Sequence, residues 1–214
     1  MRKLTQILIS ILATILILIL IYPSLGCECC SECCDPEKEE SCFLPGTLIT
    51  LADGSQIPIE YVEVGDTILS VDENLNLIPA KVLEVESPMR DDYYIVTLAN
   101  NVQLKVTDEH PLYMKSADYE GWGAIKPEKA IKDSGIKTNA IKVGDYLLNQ
   151  DKEWIEVLSM EHIEKKTQTF NLKTIEKTNT FFAEGFLAHN KGETPPYPQQ
   201  PQPQQPAPRQ PTSN

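Results

Sequence analysis

Thr47-Leu48-Ile49-Thr50-Leu51-Ala52-Asp53-Gly54-Ser55-Gln56-Ile57-Pro58-Ile59 holds two apolar-alternating runs joined through Asp53-Gly54. An Asp-Gly at such a junction supplies the positive-φ residues of a hairpin turn, so the stretch predicts two antiparallel strands. Strand-like runs continue outward from it at 67–71, 81–86 and 93–98. Asn100-Asn101 then turns the chain into 102–106, and later runs fall at 146–148, 154–162, 169–175 and 180–182. Only 127–132 reads as a helix, and a short one. Many short strands separated by turn residues predict an all-β body.

The body contains an internal echo. Val62-Glu63-Val64-Gly65-Asp66-Thr67-Ile68-Leu69 is matched by Ile141-Lys142-Val143-Gly144-Asp145-Tyr146-Leu147-Leu148. Each copy leads into a polar turn and another strand. Two copies predict a duplicated β unit with pseudo-twofold symmetry, because a solenoid needs three or more repeats.

The flanks differ in composition from this body. Residues 1–26 begin with Arg2 and Lys3 and continue as an almost unbroken apolar run from Leu8 to Ile21. That pattern is an export signal or a membrane anchor, expected to be helical. Three fates stay open: retention as an anchor, cleavage before Cys27 after the small residues Ser24 and Gly26, and lipidation at Cys27. Each exports the remainder, which is expected to sit outside the cytoplasm as a secreted or membrane-anchored protein. Residues 27–41 form an acidic linker with Cys27, Cys29, Cys30, Cys33 and Cys34. Outside the cytoplasm these thiols favour disulfides over a soft metal. Residues 191–214 are rich in Pro and Gln and predict a disordered tail that cannot bury a core. The net charge of -12 and the lack of a basic stripe argue against nucleic acid as a partner.

Three motifs carry the chemistry of the 42–190 body. They are Cys42-Phe43-Leu44-Pro45-Gly46-Thr47, then Val106-Thr107-Asp108-Glu109-His110-Pro111-Leu112, then Phe181-Phe182-Ala183-Glu184-Gly185-Phe186-Leu187-Ala188-His189-Asn190. A thiol beside its own amide bond can attack the preceding carbonyl, here that of Ser41, and leave a thioester. This exchange is uphill for a relaxed amide, so neighbouring groups must polarise the carbonyl and protonate the leaving nitrogen. Imidazole suits proton transfer near neutrality, which assigns His110 to the Cys42 nitrogen. Thr107 is expected to position the carbonyl. At the other end the Asn190 side chain can cyclise onto its own backbone carbonyl, aided by His189, and break the bond to Lys191. Read singly, Cys42 also fits a disulfide partner, His110 a loop histidine, and His189-Asn190 a helix or turn cap.

Taken together, the three motifs resemble the Hint (Hedgehog/intein) superfamily over residues 42–190, with minimal bacterial intein-like domains as the nearest pattern. The resemblance implies a pseudosymmetric β horseshoe with Cys42, Thr107, His110, His189 and Asn190 as the site. It implies self-processing without cofactor or metal, with the chain's own flanks as substrate. Water, a thiol or an amine would accept the acyl group. Splicing inteins carry Cys, Ser or Thr after the last Asn, and this chain has Lys191, so full splicing is expected to fail. Asn171 and Asn179 stand where many relatives carry Asp and His; both changes remove candidate proton carriers, which is expected to slow Asn190 cyclisation more than attack by Cys42. The reading from another class is a lapsed Hint domain serving as an exported binding or spacer module.

Overall fold

The computed structural model describes residues 41–190. Its strands are β1 (Leu48–Thr50), β2 (Gln56–Pro58), β3 (Thr67–Val71), β4 (Leu77–Glu86), β5 (Met89–Arg90), β6 (Tyr93–Leu98), β7 (Gln103–Val106) and β8 (Leu112–Lys115). They continue as β9 (Glu120–Ala124), β10 (Asn139–Ala140), β11 (Tyr146–Leu148), β12 (Trp154–Ile163), β13 (Thr167–Gln168), β14 (Asn171–Ile175), β15 (Thr180–Ala183) and β16 (Phe186–His189). The described residues also hold one turn of 3-10 helix at Ile59–Tyr61 and one α-helix, α1 (Pro127–Ser134). The body is all-β, as its sequence indicates. The apolar segment, the Cys-rich linker and the tail lie outside the described residues.

The quoted hairpin forms: Leu48 faces Pro58, Ile49 faces Ile57 and Thr50 faces Gln56. The main sheet runs β2-β1-β15-β16-β8-β11-β12-β6-β7, with β9 on β8 and β10 on β9. A second sheet has the order β14-β4-β3, and β13 pairs with β5.

The sequence echo is a structural repeat. Gly65 and Gly144 both take the left-handed conformation, φ 101° and 92°, which a side chain would disfavour. Their N–H groups donate to Val82 and Val157 at 2.8 and 2.9 Å. Asp66 and Asp145 close the same turn, each accepting from the N–H three residues back, Glu63 at 2.8 Å and Lys142 at 2.7 Å. Each copy then enters a strand and a turn capped by one side chain. Asp72 Oδ1 accepts from Asn74 and Asn76, and Asn149 Oδ1 accepts from Asp151 and Glu153. Each copy ends in a ten-residue strand, β4 or β12.

The core joins both copies. Phe43, Ile49, Ile68, Leu98, Leu104, Leu112, Met114, Leu147, Leu172, Phe181 and Phe186 are fully buried. Burying each such side chain contributes about 1.5–3 kcal/mol before entropy is set against it. A smaller cluster unites Val71, Trp122, Ile136, Leu148, Phe182 and Leu187. Helix α1 starts with Pro127 in its first turn and stops at Gly135, which caps it at φ 74°.

Candidate active site

Two ends of the module meet here, each held by backbone pairing. Phe43 exchanges hydrogen bonds with Phe170, both at 2.9 Å, and also bridges to Val106. This pins Cys42 between the end of β7 and the start of β14. At the other end β16 pairs with β15 along its whole length and with β8 at Ala188 and Leu112. The Asn190 N–H donates to the Asn179 carbonyl at 2.7 Å.

Ser41 and Cys42 are fully buried. The Ser41 N–H donates to Asp133 Oδ2 at 3.1 Å. The Cys42 N–H donates to Thr107 Oγ1 at 2.9 Å, and that hydroxyl also donates back to the Cys42 carbonyl at 3.3 Å. Thr107 therefore holds the nitrogen of the Ser41–Cys42 bond, where the sequence assigned it the carbonyl. The His110 ring lies against the Ser41 backbone, which raises its pKa in opposition to burial, and neither ring nitrogen makes a hydrogen bond of standard geometry. Phe43 at 4.3 Å and Phe181 at 6.0 Å between ring centroids fix the plane of His110.

The second junction mirrors the first. His189 Nδ1 hydrogen-bonds the Asn190 carbonyl oxygen, so that nitrogen carries the proton. Trp122 packs edge-on against the His189 ring at 4.9 Å. The Asn190 Oδ1 accepts from Asn171 Nδ2 at 3.0 Å, and Asn171 Nδ2 also donates to Glu86 Oε1 at 2.9 Å. The Asn179 side chain caps its own turn, accepting from the Ile175 N–H at 3.2 Å.

The site is buried, and its ionisation states follow from that. Burial drives His110 down to about 3, with the nearby His189 lowering it further, and drives His189 down to about 4. Both rings are neutral at physiological pH. Burial also pushes the Cys42 thiol up to about 12; the Thr169 hydroxyl and Arg90 oppose this, and Glu109 and Glu86 add to it. Beside the thiol, Glu109 is raised by burial and by sharing a proton with Asp108, while Arg90 lies 2.8 Å from its Oε1. Burial would raise Asp108 too, but the Glu109 proton with Lys126 and Lys129 outweighs it and holds Asp108 below the usual range.

Neutral burial of two histidines sets an acid limit. An unfolded chain takes up protons on them below about pH 6.5, and the fold refuses those protons until about 3 to 4. The histidine contribution to stability is therefore whole above that upper value and is lost progressively as pH falls through the window, by several kcal/mol. Thermal melts across the window are expected to show a falling Tm, with a shallower fall in His110→Phe. An equal slope in both proteins would contradict this.

The sequence singled out Cys42, Thr107, His110, His189 and Asn190, and the fold brings all five to these two junctions. It missed Asp133, Thr169, Glu86 and Arg90, which reach the site only through long-range contacts. One local signal existed for Asp133. An acid in the last turn of α1 opposes the helix dipole and calls for a specific partner.

The chain matches the model of the Hint module over residues 30–170. It belongs to the Hint family. Among solved structures, it is similar to the bacterial intein-like domain from Clostridium thermocellum, at 22% identity and a TM-score of 0.56. That match covers 70% of this chain and 98% of the other. It is also similar to a DnaB intein from Synechocystis sp. PCC 6803, at 18% identity and a TM-score of 0.56, over 71% and 99% of the two chains. The gp41-1 intein matches at 19% identity and a TM-score of 0.54, over 71% and 100%. No curated protein matches the chain. At these identities the likeness establishes the fold, the Hint horseshoe. The family match stops at residue 170, while the main sheet of this Hint module continues through β15 and β16 to His189.

Proposed function

We propose that the Hint module cleaves its own chain, once per molecule, after Ser41, after Asn190, or at both. Family and fold support self-processing or splicing-type chemistry in general. The observation that carries the finer reading is that a buried imidazole stands at each junction, with Thr107 Oγ1 holding the Cys42 nitrogen and His189 Nδ1 hydrogen-bonded to the Asn190 carbonyl.

In the first step Cys42 Sγ attacks the Ser41 carbonyl carbon. The new C–S bond replaces the C–N bond, and the thiol proton ends on the Cys42 nitrogen. His110 donates to the carbonyl oxygen as charge gathers there, and Thr107 steadies the departing nitrogen. Water, a thiol or an amine then takes the acyl group from the thioester and returns the proton to sulfur. In the second step Asn190 Nδ2 attacks the Asn190 carbonyl carbon. A succinimide forms, and Lys191 leaves as an amine carrying the proton lost by Nδ2. His189 Nδ1–H polarises that carbonyl. Lys191 offers no hydroxyl or thiol to capture the acyl group, so the two flanks separate without being joined. No cofactor or metal enters either step. The apolar run at 8–21 supports an exported chain, anchored or secreted, with the module outside the cytoplasm.

Intact-mass spectrometry of the chain from Cys27 onward, with and without added thiol, tests this reading. Fragments ending at Ser41 and at Asn190 are expected. A single uncut mass under both conditions would sink it and leave an exported binding or spacer module.

A further inference from the structure

We propose that Glu86 is a positioning residue for the break after Asn190: acting through Asn171, it fixes which end of the Asn190 amide becomes the nucleophile. The inference rests on the cleavage reading above. The Asn at position 171 suggested a lost proton carrier, but the neighbouring strand brings a carboxylate to it. Glu86 on β4 is the direct cross-strand partner of Asn171 on β14.

An amide's oxygen and nitrogen have nearly the same shape, so partners decide its orientation. An ionised carboxylate only accepts hydrogen bonds. Facing Glu86 Oε1 at 2.9 Å, Asn171 must present its NH2 end. That end has two hydrogens, and the second goes to Asn190 Oδ1 at 3.0 Å. Asn190 is thereby held by its oxygen, which puts Nδ2 on the opposite side as the attacking atom. The donor also sits where charge collects, because Nδ2 sheds a proton as it attacks and the electrons move toward Oδ1. The geometry is well fixed. Asn171 is fully buried, and Lys173 Nζ lies 3.5 Å from the second oxygen of Glu86, whose side chain is 14% exposed. A neutral amide at position 86 could donate as well as accept, so Asn171 could turn over and face Asn190 with its oxygen.

The test follows both breaks by intact mass in the full chain, comparing wild type, Glu86→Gln, Asn171→Ala and the double variant. Glu86→Gln is expected to slow the break after Asn190 by about 10- to 100-fold, the usual cost of misplacing a reacting group. Thiol-induced cleavage after Ser41 should not slow, since the charge of Glu86 only raises the Cys42 thiol and a neutral Gln removes that opposition. The double variant should be no slower than Asn171→Ala alone. Equal Asn190 cleavage in Glu86→Gln and wild type, or an additive loss in the double variant, would overturn the proposal. Should Glu86→Gln lose both breaks through misfolding, Glu86→Asp takes its place. It keeps the charge but withdraws the oxygen from Asn171, and the same selective slowing is expected; an unchanged rate would overturn the proposal. Wild type that cleaves after Ser41 but never after Asn190 overturns the reading of that end and this inference with it.

Discussion

In a Cys42→Ala chain the break after Ser41 is expected to vanish while the break after Asn190 persists, and Asn190→Ala should give the reverse. Cys42 is the thiol that adjoins the Ser41 carbonyl, and Ser41 and Cys42 are both fully buried. Without sulfur the residue after that carbonyl has no nucleophile to close a five-membered ring on it. An unassisted peptide bond does not hydrolyse on the timescale of an expression experiment. Asn190 draws on different groups, His189, Asn171 and Asn179. Separate fragment masses in the two variants are the direct measurement. Loss of both breaks in Cys42→Ala would mean that the second step waits for the first.

His110→Ala is the second large effect. It removes the proposed donor to the Ser41 carbonyl and should slow thiol-induced cleavage there by about 10²–10³-fold, in line with loss of one acid–base or oxyanion group. It also empties the space between Phe43 and Phe181, and truncating a buried ring costs about 3 kcal/mol or more. Rate and stability must therefore be separated. His110→Phe fills the space and offers no donor, so it should keep most of the melting temperature yet cleave as slowly as His110→Ala. If His110→Phe cleaves at the wild-type rate, His110 only packs.

The legibility of this fold depended on periodicity. A run exposed on one side, such as β7, could be read directly. Strand β16 could not, because Phe186, Leu187, Ala188 and His189 are all buried and leave no alternation. Strand β9 was hidden by its glycines, which read as turn residues. Gly123 is there for contact: a Cβ would meet Met114 Sδ at 2.2 Å on the paired strand β8. Strand β4 begins four residues earlier than the apolar run at 81–86 suggested, because Leu77 to Ala80 complete the register opposite β3. The candidate site divides in the same way. Cys42, Thr107, His110, His189 and Asn190 lie in local motifs. Asp133 stands 92 residues from the Ser41 it binds, and Glu86 stands 85 from Asn171, and no local pattern reports such pairs.

Phe43 and Phe170 are doubly bonded through their backbones, and Asn171, the next residue, grips Asn190. This link has a mechanical consequence. A tensile load applied through the two flanking segments would cross from Cys42 and Phe43 to Phe170, pass along one peptide to Asn171, and leave through Asn190. The 11-stranded sheet shares that load, because Asn190 follows directly on β16 and Phe43 bridges to Val106 on β7. Pulling on the flanks would be felt first at the two bonds on which the proposed chemistry acts.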